Sequence, residues 1–202
     1  GGEGESMASI EDSLRRLKSE YVDLLLVHQP YGDYYGIYRS LEKAYAQGKA
    51  RAIGLSNFYD DRFADLVYHA DVRPAVDQLE TNVFSQQNSM REQLAETDTR
   101  LMAWGPMGQG KYDFFSHPVL TAIGDKYGKT CSQVGLRFLA QQGIPVIPKS
   151  TSIARMEENM KIFDFSLEED DMRILRSLNI HDKGSRDYTN PTYAKKIVSQ
   201  VF

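Results

Sequence analysis

Short apolar runs that alternate with amphipathic segments are the feature that most restricts what this chain can fold into. Five such runs are separated by helical patterns of roughly ten residues. They occupy residues 23–28, 50–58, 75–80, 101–104 and 145–148. This alternation predicts an α/β protein whose strands form one parallel sheet with right-handed crossovers.

Polar or aromatic residues stand at or just after the end of each apolar run. They are His28, Ser56 with Asn57, Gln78, Trp104, and Lys149 with Ser150. In parallel α/β folds, ligands bind and catalytic groups gather at the carboxyl ends of the strands. The sequence therefore predicts a functional site built from the ends of all five strands.

The first run, DLLLVHQP at residues 23–30, contains a histidine that could be either functional or structural. A run this short is typical of a strand buried on both faces, and Pro30 ends it because proline cannot donate to a ladder. His28 then lies at the carboxyl end of the strand. On its own, His28 could equally be a core histidine with satisfied hydrogen bonds, and only its placement among the other strand ends favours a functional role.

Composition excludes several classes of protein. The net charge of −4 over 202 residues argues against a basic nucleic-acid surface and against binding to anionic membranes. No apolar run approaches the roughly 20 residues that span a bilayer. The single cysteine, Cys131, cannot form an internal disulfide, and no cysteine spacing indicates a metal site. We therefore expect a cytoplasmic protein without a metal.

The remaining segments, most of them near the ends of the chain, indicate their structure less clearly than the alternating pattern does. Residues 1–6 (GGEGES) do not match a phosphate-binding glycine motif and are interpreted as a tag or junction remnant, so the expected domain is 7–202. Ser9 and Asp12 form a capping box that predicts the first helix. Residues 31–35 (YGDYY) are predicted to be a loop, and the segment after Asn179 a polar tail.

Six motifs in a fixed order carry a resemblance to a known family. They are DLLLVHQP, QGKARAIGLSNF, PAVDQLE, AWGP, IPKS and RMEEN, and they extend over nearly the whole chain. The sequence resembles the aldo-keto reductase family, which implies a (β/α)₈ barrel that reduces aldehydes and ketones with NADPH. Such a barrel needs about 250 residues. We expect a partial barrel of about five βα units that lacks the first three.

The resemblance also implies roles for the residues at the strand ends. His28 would orient the substrate carbonyl for hydride attack. The nicotinamide would be held by Ser56, Asn57 and Gln78 at its carboxamide and by Trp104 beneath its ring. Gly105 would let the backbone approach the pyrophosphate. The 2′-phosphate would be bound by Lys149, Ser150 and Arg155, and the adenine amine by Glu158 and Asn159.

Structural alternatives remain for several of these residues. Ser56 and Asn57 could cap the following helix, and Trp104 could be core packing. Arg155 and Glu158 have the spacing of an ordinary surface ion pair. Asp77 departs from the family, which usually has an amide there. The remaining histidines, His69, His117 and His181, lie outside the motifs and receive no role.

The family's catalytic tyrosine, lysine and aspartate have no counterpart motif in this sequence. Tyr31, Tyr34 and Tyr35 follow His28 closely, but they are more typical of a substrate loop than of a replacement acid. Two functions therefore stay open: an NADPH-dependent carbonyl reductase, and a non-catalytic relative that binds a nucleotide or a partner. An open sheet also has unpaired edges, so we expect the isolated chain to self-associate or to be only part of a molecule.

Overall fold

The computed structural model describes residues 2–180, 184, 186–188 and 190–201. Its five strands are β1 (Leu25–Val27), β2 (Ile53–Ser56), β3 (Val76–Glu80), β4 (Arg100–Trp104) and β5 (Val146–Ile147). Its α-helices are α1 (Glu3–Leu17), α2 (Tyr34–Ala46), α3 (Asp60–His69), α4 (Asn88–Glu96), α5 (Pro118–Tyr127), α6 (Cys131–Ala140), α7 (Ile153–Met160), α8 (Glu169–Arg176) and α9 (Pro191–Val201). The strands follow one another in the sheet in the order β1-β2-β3-β4-β5. The predicted alternation of strands and helices and the single five-stranded sheet are confirmed.

The described residues divide into two compact units. Unit 1 comprises those of Gly1–Gln78, Met90–Arg100 and Arg186–Phe202, and unit 2 those of Leu79–Ser89 and Leu101–Ser185. β3 contributes its first three residues to unit 1 and its last two to unit 2.

Unit 1 is built on parallel pairing of β1, β2 and the start of β3. Leu26 lies opposite Gly54, which in turn lies opposite Val76. Every residue of β2 is buried. The helices close the core with Phe63 and Leu66 of α3, both 1% exposed. Burial on both faces explains why the sequence of β2 lacks polar side chains before Ser56.

Unit 2 is built on the parallel pair β4 and β5, with Ala103 opposite Val146. Its core contains Leu120 of α5 and Leu136 and Phe138 of α6, all fully buried. Gly135 of α6 lies against the ring of Phe114, and a Cβ at Gly135 would come within 2.5 Å of that ring. This glycine therefore sets how closely α6 approaches the loop that precedes α5.

The structure corrects several boundaries. α1 begins at Glu3, not at the Ser9–Asp12 box, because Glu3 pairs with Lys43 of α2 and acids in a first turn favour a helix amino terminus. The boundary expected at residue 7 therefore falls inside a helix. Tyr34 and Tyr35 are helical rather than part of a loop, since the Asp33 side chain caps α2 by accepting the Gly36 N–H at 2.9 Å.

Two further expectations differ from the structure. β1 is only partly buried, because it pairs on one side alone in the strand order. The polar tail contains α9, which starts at Pro191, a favoured first helical residue.

His181 lies outside the described residues. No helix in the described part of the chain combines the length and apolar character needed to cross a membrane.

We expect Gly54→Ala to destabilise the protein by about 1–3 kcal/mol, the range for overpacking a core. A Cβ at Gly54 would come within 2.5 Å of the Val76 carbonyl oxygen and 2.9 Å of Leu26 Cδ2, so neighbouring strands would have to separate. Urea unfolding measures the free energy.

The control is Gly4→Ala in α1, where a Cβ meets nothing within 4 Å. There the helix propensity of alanine should leave stability unchanged or raise it by up to about 1 kcal/mol. Equal effects of the two substitutions would contradict the close strand approach at Gly54.

Candidate functional site

Three strands of unit 1 bring polar side chains together where they end. His28 directly follows β1, Ser56 is the last residue of β2, and Gln78 lies opposite Ser56 in β3. The Ser56 hydroxyl donates to the Gln78 carbonyl oxygen at 3.0 Å. Asn57 Nδ2 donates to the His28 carbonyl oxygen at 3.1 Å and to Ser56 Oγ at 3.0 Å. The predicted residues of unit 1 therefore form one hydrogen-bonded cluster.

The geometry decides between the alternatives for this cluster. His28 is exposed, so it is not a core histidine. Ser56 and Asn57 do not cap the following helix, because α3 starts after Tyr59. Both are almost fully buried, at 1% and 3% exposure, and they use their side chains to connect β1, β2 and β3.

The loop after β1 is fixed by contacts on both sides of Tyr31. Arg62 Nη1 donates to the Pro30 carbonyl oxygen at 3.2 Å, and its guanidinium lies 5.3 Å from the centre of the Tyr31 ring. The Tyr31 hydroxyl donates to the Tyr188 carbonyl oxygen at 3.0 Å. Sequence reasoning missed Arg62, which gives no motif signal because its partner is a backbone carbonyl.

Two of the tyrosines near His28, Tyr31 and Tyr35, are poorly suited to act as acids. Burial raises the pKa of Tyr31, and burial together with a hydrogen bond to the Asp65 carboxylate raises the pKa of Tyr35. An effective general acid has its pKa moved towards the working pH, and for a tyrosine that means a lowered pKa. These environments therefore argue against Tyr31 or Tyr35 as a replacement for the family's catalytic acid.

Asp77 is a fully buried carboxyl group in β3. It is 0% exposed, and neither carboxyl oxygen has a hydrogen-bond partner in the part of the chain that the structure describes. Burial raises the pKa of Asp77 well above its ordinary value. The Phe58 backbone amide lowers this pKa by a smaller amount, and it does not reach hydrogen-bonding geometry. Because neighbouring strand residues point to opposite faces, the Asp77 side chain lies on the face opposite to that of Gln78. Burial therefore favours the neutral form of this carboxyl group in the folded chain.

In unit 2, β4 ends in Trp104 and leads into a glycine-rich loop. Trp104 is partly exposed, so it is not simply core packing. Gly105 has a φ of 60°, a conformation that glycine adopts without strain. Its carbonyl oxygen accepts the Gly108 N–H at 2.9 Å, which closes a tight turn. The loop therefore presents backbone without a side chain at its first position.

A cavity of about 390 Å³ in unit 2 collects the remaining predicted residues. The predicted residues that line it are Lys149, Ser150, Arg155, Glu158 and Asn159. The other lining residues are Met107, Phe115, Thr130, Cys131, Ser132 and Thr151. Two cationic side chains, four hydroxyl groups, a carboxylate and apolar surfaces thus meet in one concave site, a combination suited to a phosphorylated ring compound.

Glu158 does not behave as half of a simple surface pair. Its carboxylate accepts the Thr130 hydroxyl at 2.5 Å, while the Arg155 backbone N–H is directed at Ser152 Oγ in the cap of α7. Sequence reasoning missed Thr130. The signal was present as Thr130-x-x-Gln133, a capping-box pattern at the start of α6.

Within the described residues, no group of three or more His, Cys, Asp or Glu side chains could hold a metal ion.

Comparison with known proteins gives consistent matches. A model of the aldo/keto reductase family matches residues 2–180. The chain is 40% identical over 187 residues to the glyoxal reductase of Bacillus subtilis, covering 92% of this chain and 66% of that protein. It is 37% identical over 180 residues to 9,11-endoperoxide prostaglandin H2 reductase of Trypanosoma cruzi, covering 88% of this chain and 64% of that protein. The chain thus spans less than two thirds of the length of these curated relatives.

Solved structures of similar proteins have the same fold. MGS-M4, an aldo-keto reductase from a deep-sea metagenome library, matches with a TM-score of 0.89 and 33% identity, over 94% of this chain and 71% of that one. A variant of Gox0644 in complex with NADPH matches with a TM-score of 0.86 and 30% identity, over 92% of this chain and 69% of that one. The predicted fold class, α/β of the (β/α)₈ barrel type with about five βα units here, is confirmed.

Asp77→Asn should make the protein more stable at neutral pH and change how stability depends on pH. Below the ordinary carboxyl pKa of about 3.9, the folded and unfolded chains both hold the Asp77 proton. Above that value the unfolded chain releases the proton, while the folded chain keeps it until the pH reaches the raised folded pKa. The free energy of unfolding of the wild type should therefore fall through this window, by at most about 1.4 kcal/mol per pH unit.

Urea unfolding from pH 4 to pH 8 measures this difference. The Asp77→Asn variant has no proton to lose at this position, so its advantage should grow with pH and vanish near pH 4. The control is Asp98→Asn, an exposed residue with a positive φ that asparagine tolerates. A constant difference between wild type and the Asp77 variant would mean that the carboxyl group is already ionised in the folded state.

Proposed function

Because the chain belongs to the aldo/keto reductase family, we propose that it serves an oxidoreductase that reduces aldehydes or ketones to alcohols with NADPH. The cavity in unit 2 is the observation that carries this proposal. The relatives add support, since their names describe a glyoxal reductase and an NADPH complex.

The cavity fits the phosphorylated end of such a nucleotide. Lys149 supplies a point charge and Arg155 a planar fork, the two usual ways of binding a phosphate. Ser150 adds a hydroxyl beside them. The carboxylate of Glu158 and the amide of Asn159 offer acceptors for an adenine amine. At about 390 Å³ the cavity lies within the common range for small-molecule sites.

The loop after β4 would serve the diphosphate, and Trp104 the nicotinamide. Gly105 has no side chain, so backbone N–H groups could come close to the diphosphate oxygens. The partly exposed Trp104 ring offers a flat apolar surface on which a nicotinamide ring can stack.

In unit 1, the cluster at the strand ends would hold the carboxamide and the substrate. Ser56, Asn57 and Gln78 offer the mixed donors and acceptors that a carboxamide needs. His28 would donate a hydrogen bond to the substrate carbonyl oxygen and stabilise the negative charge that develops there. Asn57 holds the His28 carbonyl oxygen, so it would also fix the backbone from which the imidazole projects. Bound NADPH would supply the hydride.

The alternative is a non-catalytic relative that binds a nucleotide or a partner. The raised pKa values of Tyr31 and Tyr35 favour it for this chain, because they make these two tyrosines poor proton donors to the alkoxide. We expect the 202-residue chain to bind NADPH and to oxidise it with glyoxal at least about 10²-fold more slowly than ordinary enzymes, the loss typical of a missing acid. Absorbance of NADPH measures the rate.

Two results of this assay would contradict the account. Turnover at ordinary rates of about 10 s⁻¹ would exclude the non-catalytic alternative and would mean that the acid lies among the residues of this chain. A chain that does not bind NADPH at all would remove the support that the cavity gives to the proposed function.

Arg155→Ala should weaken binding of NADPH by about 1–3 kcal/mol, the range for hydrogen bonds to charged groups. Binding of NADH should hardly change, because NADH lacks the 2′-phosphate. Titration calorimetry with both nucleotides measures the difference. The control is Arg173→Ala, an exposed arginine paired with Asp170 in α8, which should bind both nucleotides as the wild type does. Equal losses for NADPH and NADH would argue against the phosphate role of Arg155.

A further inference from the structure

The helix that lines one side of the nucleotide cavity has little apolar contact to hold it. α7 has eight residues and buries none of them, and its apolar side chains Ile153, Met156 and Met160 are 75%, 47% and 70% exposed. It nevertheless carries three cavity residues, Arg155, Glu158 and Asn159. Polar contacts must therefore determine where this helix lies.

The side-chain amide of Gln133 makes the main contact. Gln133 lies in the first turn of α6 and is 6% exposed. Its Oε1 accepts the Thr130 backbone N–H at 3.1 Å. Its Nε2 donates to the carbonyl oxygens of Glu158 at 3.1 Å and Lys161 at 3.0 Å, at the carboxyl end of α7. One buried amide thus caps α6 and binds α7.

Thr130 adds a second contact to the same helix. Its hydroxyl oxygen accepts the Gln133 backbone N–H at 3.3 Å, and its hydroxyl proton is donated to Glu158 Oε1 at 2.5 Å. The hydroxyl therefore fixes the direction of a carboxylate that lines the cavity. We name Thr130 and Gln133 the α7 clamp.

We propose that the α7 clamp is a pair of positioning residues for the nucleotide cavity. Gln133 fixes the backbone of α7 and so the positions of Glu158 and Asn159, and Thr130 fixes the Glu158 carboxylate towards the adenine amine. The identity of the ligand rests on the proposed function, whereas the attachment of α7 does not.

The substitution Gln133→Glu tests the contact with α7 independently of the cap at the start of α6. A glutamate keeps the acceptor that completes a capping box, so the start of α6 should persist. It loses both donors and directs a negative charge at two carbonyl oxygens, so α7 should detach. A matched control is Gln141→Glu at the carboxyl-terminal cap of α6, where Oε1 accepts the Leu167 N–H and Nε2 donates to the Leu167 carbonyl oxygen, away from the cavity.

The experiment uses the whole 202-residue chain and adenosine 2′-monophosphate as the probe. By titration calorimetry, Gln133→Glu should bind the probe about tenfold more weakly or worse, the effect of losing a charge-assisted contact. Gln141→Glu should stay within about twofold of wild type, since no cavity residue depends on it. Hydrogen–deuterium exchange of the α7 backbone should become faster in Gln133→Glu and stay unchanged in Gln141→Glu.

Thr130 variants provide a second test that does not require Gln133→Glu to fold. Thr130→Val should reduce the preference for adenosine 2′-monophosphate over purine riboside 2′-monophosphate, which lacks the 6-amine, and Thr130→Ser should restore it. A purely structural role would weaken both probes equally. Equal weakening, or an unchanged preference, would overturn the role of Thr130.

Binding of the probe by the wild type separates the attachment of α7 from the nucleotide role of the cavity. If the wild type does not bind adenosine 2′-monophosphate, the proposed nucleotide role is wrong. The comparison of hydrogen–deuterium exchange in α7 between the wild type and Gln133→Glu then decides by itself whether Gln133 holds the helix. If the wild type binds the probe but Gln133→Glu binds it equally well, or exchange in α7 does not change, the clamp is overturned.

Discussion

Parallel strand pairing is the constraint on which both units depend. In unit 1 it sets Ser56 opposite Gln78, so that the Ser56 hydroxyl reaches the Gln78 backbone carbonyl, and Asn57 connects Ser56 to the backbone of His28. In unit 2 it joins β4 to β5, whose ends lead to Trp104 and to Lys149. The close approach of strands also explains Gly54, which leaves room for a neighbouring carbonyl.

Desolvation then separates the polar residues into two kinds. Ser56 and Asn57 are buried, and they satisfy each other and nearby carbonyl groups, which removes the cost of burial. Asp77 has no such partner among the described residues, and burial raises its pKa instead. In contrast, Lys149 and Arg155 remain exposed around their cavity, where a charge costs little until a ligand binds. The proposed phosphate site therefore needs no buried counter-charge.

The sequence predicted what local patterns determine. β3 and β4 differ from the predicted apolar runs by one residue at their first position, because periodicity and flanking turn residues specify them. Contacts between distant segments were not predictable in this way. The start of α1 depends on Glu3 meeting Lys43, and the exposure of β1 on its place in the sheet. The same limit explains why the cavity residues were predicted from motifs, whereas Gln133, which acts through the backbone of α7, was not.

Fluorescence of Trp104 tests the account of the site most directly, because Trp104 is the only tryptophan in the chain. A titration with NADPH should quench its emission in a saturable way, with energy transfer to the nicotinamide, and the midpoint should agree with the affinity from calorimetry. NADPH that binds by calorimetry while the emission of Trp104 stays unchanged would contradict the account, because the nicotinamide would then lie away from the end of β4.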